Sequence, residues 1–331
     1  MLYKIEGDNL DFIDRIHNNG FQSEAIHVFN QQYSQNTLYK SFVNALCKHL
    51  NEIKSPTEIP FLPISFFKTH QVVTSTNISP ELIFESSGTT GTINSKHYVL
   101  NKEIYKKAFE HAFFKFYGSP SQYTILALLP SYLERQNSSL VYMADALMKE
   151  SKQPGNGFYL DDYARLADTI KLLEAEKKQV LLLGVTYALL DFAKEYPMHL
   201  QHTIVMETGG MKGRHEEWTR QQVHEYLKQQ WQLSTIHSEY GMTELLSQAY
   251  SKGNGIFYPG DTMKVLVRDI NDPLDVKDTG TGCLNIIDLA NINSCSFIAT
   301  DDMGTVYSDG SFEVLGRADH SALRGCSLMV L

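Results

Sequence analysis

The sequence predicts an α/β protein with mostly parallel sheets and a smaller β-rich subdomain that closes the chain. Three observations lead there. Between residues 101 and 252, short apolar runs alternate with helical patterns, as βαβ units require. Beyond Gly253, strand-like segments follow one another across Gly, Asp and Asn turns. With 331 residues, 43% of them apolar, the chain is long enough to bury a large core as one domain or two.

Taken in order, residues 9–55 are polar with helical spacing and end at Pro56. "PFLPISFFKTH" (Pro60 to His70) reads as an extended, irregular lead-in because of its two prolines. In Asn101 to Tyr117, Ile104, Ala108, Ala112, Phe113 and Phe116 share one helical face. "YTILALLP" reads as a buried strand, and a helix is expected from Ser139. Asp161 to Glu174 is an amphipathic helix with Tyr163, Leu166, Ala167, Ile170 and Leu173 on its stripe. "QVLLLGV", "HTIVMETGG" and "STIHSEYG" are strand-like. "MKVLVRDI", "GCLNIIDL", "GTVYSDG" and "SFEVLGR" are the short strands of the β-rich end.

A net charge of −9 argues against a general nucleic-acid footprint, so an anionic ligand must be held by local donors. No apolar run reaches membrane-spanning length, and "MLYKIEGDNLDFIDRI" lacks the apolar core of a signal peptide. The four cysteines (Cys47, Cys283, Cys295, Cys326) show neither CxxC pairing nor metal-ligand spacing, which suits a reduced, cytoplasmic chain. His215 and His224 share a helical pattern without metal spacing, and neither HExxH nor Gly-x-Ser-x-Gly occurs.

The chemistry concentrates in "FESSGTTGTINSKHYVL" (Phe84 to Leu100). Small residues here let the backbone approach an anion and turn N–H groups and hydroxyls toward it. A P-loop needs Gly-Lys-Ser/Thr, whereas Lys96 lies between Ser95 and His97, so that version fails. A plain surface loop is the alternative. Likewise "TELLSQAY" read alone is the capped first turn of a helix, Gly209 and Gly210 a strand-to-helix turn, and Tyr240 a core tyrosine.

Order along the chain adds to this. Ser86 to Gly91, "METGGMKG" (Met206 to Gly213), Tyr240-Gly241-Met242-Thr243-Glu244, Thr300-Asp301-Asp302 and Gly316 to Asp319 resemble the motifs of the adenylate-forming superfamily. That superfamily holds acyl-CoA synthetases, peptide-synthetase adenylation domains and firefly-type luciferases. "PFLPISFFKTH", "LPSYLERQNSSLVYM" and the tail "LRGCSLMVL" are similar to the acyl-protein synthetases of bacterial luciferase systems, so the resemblance runs from about residue 56 to the end.

The resemblance implies an adenylate-forming core at 56–319, preceded by a helical segment at 1–55 and followed by a short tail at 320–331. It implies ATP and Mg²⁺ as cofactors and a carboxylic acid of the fatty class as substrate, activated to acyl-AMP and passed to a protein thiol. An acyl reductase would be the downstream partner. Ser86, Ser87, Gly88, Thr89, Thr90 and Gly91 would wrap the β- and γ-phosphates, with Lys96 adding charge; a solvated loop lysine is the other reading. Thr243 and Glu244 would hold an α-phosphate oxygen and Mg²⁺, a hard cation suited to carboxylate. Gly209 and Gly210 would stack on the adenine, with Tyr240 and Gly241 beside it. Asp302 would take the ribose hydroxyls and Arg317 the ribose and phosphate, although Asp301 stands where the family has glycine.

Cys326 resembles the acylated cysteine near the C-terminus of the acyl-protein synthetases; a buried apolar thiol is the alternative. Superfamily members usually continue into a small domain that supplies a lysine, and residues 320–331 hold none. Lys96, Lys212, Arg317 or Arg324 would have to supply that charge. A CoA ligase of the phenylacetate type and a non-catalytic adenylate-fold binding protein are the competing functions.

Overall fold

A computed structural model describes residues 10–46, 53–75, 77–86, 93–129, 137–209 and 218–318. Three helices come first: α1 (Phe12–Asn19), α2 (Phe21–Gln35) and α3 (Thr37–Leu46). Next are β1 (Leu62–Pro63), the short α4 (Phe66–Thr69) and a hairpin of β2 (Leu82–Glu85) and β3 (Lys96–Val99). Then follow α5 (Lys102–Tyr117), β4 (Thr124–Leu128), α6 (Ser139–Ser151), β5 (Gly157–Phe158) and α7 (Tyr163–Ala175). The alternation continues through β6 (Val180–Val185), α8 (Thr186–Glu195), β7 (Thr203–Thr208), α9 (Arg220–Trp231) and β8 (His237–Tyr240). The last strands are β9 (Ala249–Ser251), β10 (Tyr258–Pro259), β11 (Met263–Arg268), β12 (Val276–Lys277), β13 (Gly280–Asp288), β14 (Phe297–Val306) and β15 (Phe312–Arg317).

One sheet runs β10-β9-β8-β7-β6-β4-β5, parallel from β5 to β8 and antiparallel from β8 outward. Its central strands β4 and β6 are buried along their whole length, which explains their continuous apolar runs. The second sheet runs β1-β14-β13-β11-β12 with β15 on β14, and is antiparallel apart from β1. The expected architecture, α/β followed by a β-rich end, is therefore present.

Four details differ from expectation. Among its described residues the 9–55 stretch forms three helices, because the chain breaks at Gly20 and at Asn36, whose Oδ1 accepts from Tyr39 N at 3.0 Å. "KHYV" forms β3, a strand that periodicity did not reveal. In "GTVYSDG" only the start is strand, since Gly310 N closes a turn on Tyr307 O at 3.0 Å. "TELLSQAY" is no helix: Leu246 N and Ser247 N donate to Asp288 Oδ2 at 2.7 and 3.2 Å, so the segment turns into β9.

The N-terminal helices are bonded into the core. Gln32 is fully buried, and its Nε2 donates to Asn291 O (2.9 Å), Ile292 O (3.1 Å) and Ser296 Oγ (3.2 Å), while Oε1 accepts from Ser296 N at 2.9 Å. Asn36 Nδ2 adds a bond to Ser294 O at 2.9 Å. On another face, His17 of α1 and His111 of α5 both approach Asp261 Oδ2, at 3.6 and 2.8 Å. Lys115 holds the other oxygen at 2.6 Å, which already neutralises this carboxylate. No helix among the described residues is long and apolar enough to cross a membrane.

Two carboxylates sit side by side at the ends of β7 and β8, and their surroundings drive them apart. Burial would raise Glu207, but His224, Arg220 and Ser238 outweigh it and hold the carboxyl at about 2. Arg220 Nε lies 3.0 Å from Glu207 Oε1, and Thr186 Oγ1 donates to Oε2 at 3.0 Å. Burial pushes Glu239 up to about 7; Thr208 opposes this and the charge of Glu207 adds to it. Thr208 Oγ1 donates to Glu239 Oε2 at 2.5 Å.

Two stability predictions follow from these contacts. Replacing Gln32 by Ala strands several buried backbone groups, so urea unfolding should show a loss of about 2 kcal/mol or more. The exposed Gln35→Ala control should change less than about 0.5 kcal/mol. For Glu239, the folded state binds its proton more tightly than the unfolded chain, so stability falls as pH rises from 4.5 to about 7. Glu239→Gln keeps the shape without the charge, and its stability relative to wild type should rise across that window, by up to about 3 kcal/mol at pH 8. A difference independent of pH would show that Glu239 does not titrate in this range.

Candidate active site

Parallel strands present their carboxyl ends along one edge, where open α/β sheets bind ligands. Here Val185 pairs with Thr208, and Thr208 with Glu239, so β6, β7 and β8 end together. Gly209 follows β7 with φ +77, a left-handed conformation that side chains resist, and a Cβ there would meet no described residue within 4 Å. No described side chain covers its backbone, the property an adenine-stacking residue needs. Gly210 lies outside the described residues.

Gly241 follows β8 and is glycine for a different reason. A Cβ there would come within 2.5 Å of Glu239 Oε1, so the missing side chain makes room for the buried carboxyl. Tyr240 is buried between Phe257 and Phe312, with ring centroids 5.9 and 5.3 Å away, as the core-tyrosine reading has it. Its hydroxyl nevertheless leaves the core and donates to Asp302 Oδ2 at 2.8 Å.

The antiparallel sheet delivers Asp302 and Arg317 as a register pair of β14 and β15. Arg317 Nε donates to Asp302 Oδ1 at 3.2 Å, and the arginine side chain is 80% exposed. Behind them, Thr300 turns inward and donates to Leu284 O at 2.8 Å, while Arg268 donates to Thr300 O at 2.5 Å. Tyr240, Asp302 and Arg317, distant in sequence, thus form one cluster, with a guanidinium at its open side.

The hairpin β2–β3 is tied at its base: Ser86 N donates to Ser95 O at 3.0 Å, and Ser95 N to Ser86 Oγ at 2.9 Å. Ser87, Gly88, Thr89, Thr90 and Gly91, between these ends, lie outside the described residues. Lys96 is half-exposed and its Nζ lies 3.3 Å from its cross-strand partner Glu85. That arrangement suits the solvated-lysine reading, although it leaves the ammonium at the foot of the loop.

Thr243 and Glu244 follow β8 in a turn that Leu245 N closes on Met242 O at 3.1 Å. The Glu244 carboxyl is buried, and burial raises its pKa while a hydrogen bond from Ser95 opposes the shift. It makes no ion pair among the described residues; Arg317 and Lys68 act on it only through their fields. A buried carboxylate without a counter-ion has reason to take a cation, and an all-oxygen site fits Mg²⁺.

Two residues that sequence reasoning passed over reach this dipeptide. His97 Nδ1 lies 2.9 Å from Thr243 O, and Asn291 Nδ2 donates to Glu244 O at 2.8 Å. Nothing local in either stretch marks them, because His97 is one strand residue and Asn291 one turn residue. Cys326 and Asp319 lie outside the described residues, while Cys283 and Cys295 are free and buried.

Comparisons with known proteins bear on the fold and the family. An open conformation of 2-hydroxyisobutyryl-CoA ligase, in complex with 2-HIB-AMP and CoA, matches with TM-score 0.67 and 10% identity, over 97% of this chain and 80% of that one. ATP-bound MatB from Rhodopseudomonas palustris matches with TM-score 0.52 and 15% identity, over 72% of this chain. The chain spans about half, 48%, of the length of MatB and of a MatB chimera. At such identities the likeness establishes the fold, that of the adenylate-forming ligases. No curated protein matches. The family model described as "Acyl-protein synthetase, LuxE" matches residues 5–331, and the chain belongs to that family.

Proposed function

We propose that the chain activates a carboxylic acid with ATP and transfers the acyl group to a protein thiol. The observation that carries this reading is the convergence of Tyr240, Asp302 and Arg317 with the Thr243–Glu244 turn at the carboxyl edge of the parallel sheet, in a member of the acyl-protein synthetase family. In the first half-reaction a carboxylate oxygen attacks the α-phosphorus; the bond to pyrophosphate breaks and acyl-AMP forms. In the second, a thiolate attacks the acyl carbon and AMP leaves with the bonding electrons.

Each residue has a task in this scheme. The loop Ser86 to Gly91 offers amides to the β- and γ-phosphates, with Lys96 at its foot. Gly209 and Gly210 offer flat backbone to the adenine, beside Tyr240 and Gly241. Asp302, oriented by Tyr240 and Arg317, accepts from the ribose hydroxyls. Thr243 donates to an α-phosphate oxygen. Glu244 would hold Mg²⁺, which supplies positive charge where two anions must meet. Fatty acid as substrate, an acyl reductase as consumer and a cytoplasmic setting belong to the same reading, as do a helical segment at 1–55, a core at 56–319 and a tail at 320–331.

Pyrophosphate exchange into ATP should depend on added carboxylic acid and on Mg²⁺. Glu244→Gln should lower it by ~10²-fold or more, the scale of losing one preorganised charged contact. Exchange equal to wild type in this variant would remove Glu244 from the mechanism.

Cys326 is the thiol we assign to the second half-reaction, since it lies seven residues beyond Asp319 in a stretch similar to the acylated cysteine of the acyl-protein synthetases. With ATP and radiolabelled fatty acid, the wild-type chain should acquire hydroxylamine-sensitive label. Cys326→Ser should lose that label and keep pyrophosphate exchange, because adenylation comes first. A thioester still formed on the serine variant, or transfer to CoA alone, would overturn the assignment and favour a CoA ligase.

A further inference from the structure

We propose that His97 and Asn291 are positioning residues that set the Thr243–Glu244 dipeptide by gripping its two successive backbone carbonyls. The catalytic consequence rests on the acid-activating reading above; the geometry does not. Where the side chains of Thr243 and Glu244 point is decided by the peptide planes between and after them. Those planes are fixed by the His97 bond to Thr243 O at 2.9 Å and the Asn291 bond to Glu244 O at 2.8 Å. His97 and Asn291 are 0% and 1% exposed, so both bonds are made away from bulk water. A carbonyl left unpaired there would have no water to replace the lost donor, so the fold has reason to keep both bonds.

The chemistry of the donors fixes their protonation. A carbonyl oxygen only accepts, so the Nδ1 of His97 carries the proton. Burial lowers the ring to about 4, against the pull of the Thr243 carbonyl, so it is neutral at pH 7. Nε2 is then an acceptor. Asn291 uses Nδ2 on Glu244, which leaves Oδ1 as a second acceptor. Neither Nε2 nor Oδ1 has a protein partner, and both residues line one small cavity with about 10 Å³ open to the centre of a water molecule.

The clamp also joins two parts of the site. His97 lies on β3, directly behind the hairpin base formed by Ser86 and Ser95, and Phe67 meets its ring edge-on at 5.7 Å. Asn291 lies in the turn after β13 that Gln32 holds from α2. The hairpin base at Ser86 and Ser95 and the Thr243–Glu244 turn are therefore linked by one chain of contacts.

The test uses pyrophosphate exchange in the full chain, with His97→Ala, His97→Asn and Asn291→Ala. Both alanine variants should lose ~10–100-fold in kcat, the scale of a small misplacement of reacting groups, with KM for ATP changed by less than about 3-fold. His97→Asn should recover most of kcat, because its amide nitrogen occupies the place of Nδ1 and still donates. Wild-type kcat in both alanine variants, a loss confined to KM, or His97→Asn as slow as His97→Ala would overturn the proposal. Should His97→Ala fail to fold, Asn291→Ala and His97→Asn carry the same comparison. Nitrogen-15 NMR of the imidazole gives a readout that needs no activity. At pH 7 a neutral His97 ring protonated at Nδ1 supports the clamp, and protonation at Nε2 instead overturns it. Lack of exchange in the wild type, beside an Nδ1-protonated ring, would strike the acid-activating reading and leave the clamp standing.

Discussion

The arrangement of the site depends on the buried carboxylate of Asp288 at the end of β13. It accepts from Leu246 N at 2.7 Å, Ser247 N at 3.2 Å, Ser247 Oγ at 2.5 Å and Ala290 N at 3.1 Å. Burial raises its pKa, and these donors oppose the shift. The bond to Ser247 N takes the amide that a helix capped at Thr243 would direct to Thr243 O, and His97 occupies that carbonyl instead, so the chain turns into β9. The last bends the chain toward Asn291, whose N donates to Asp288 O at 3.0 Å. One carboxylate thus shapes both the turn that carries Thr243 and Glu244 and the turn that grips it.

That constraint is also where the two sheets meet. The parallel sheet supplies Gly209 and Tyr240 at strand ends, and the antiparallel sheet supplies Asp302 and Arg317 from paired strands. Tyr240 joins them: its ring packs with Phe257 and Phe312 while its hydroxyl reaches Asp302 at 2.8 Å. A nucleotide laid along this edge would touch both sheets at once, which explains why neither sheet alone carries a complete motif set.

Much of this was legible in the sequence because its signals are local. Alternating apolar runs and helical stripes mark the βαβ units, and the ordered motifs mark Ser86, Gly209, Tyr240, Thr243, Glu244, Asp302 and Arg317. What could not be read depends on long-range contacts. "TELLSQAY" has helical spacing, yet a carboxylate from β13 overrides it. "KHYV" becomes a strand only because "LIFE" pairs with it. His97 and Asn291 carry no pattern, since their roles arise from where the fold brings a ring nitrogen and an amide. Gly241 reads as motif, but its reason is the Glu239 carboxyl beneath it.

The acidity of the site poses a physical problem for a protein proposed to handle ATP. Glu207, Glu239, Glu244 and Asp288 are all buried here in a chain of net charge −9. Their environments limit the repulsion. Glu207 keeps its charge but is matched by Arg220 at 3.0 Å, and burial raises Glu239, Glu244 and Asp288, which favours their neutral forms. Of these, Glu239 is bonded to Thr208 and Asp288 to a full set of donors. Among the described residues Glu244 has a single side-chain partner, Ser95, and no ion pair, so it would gain most from a metal ion. A divalent cation would convert it from a reluctant acid into a bound carboxylate and leave surplus positive charge facing the phosphates. On the proposed reading, the field that suits an anionic nucleotide would therefore be assembled when the metal ion binds.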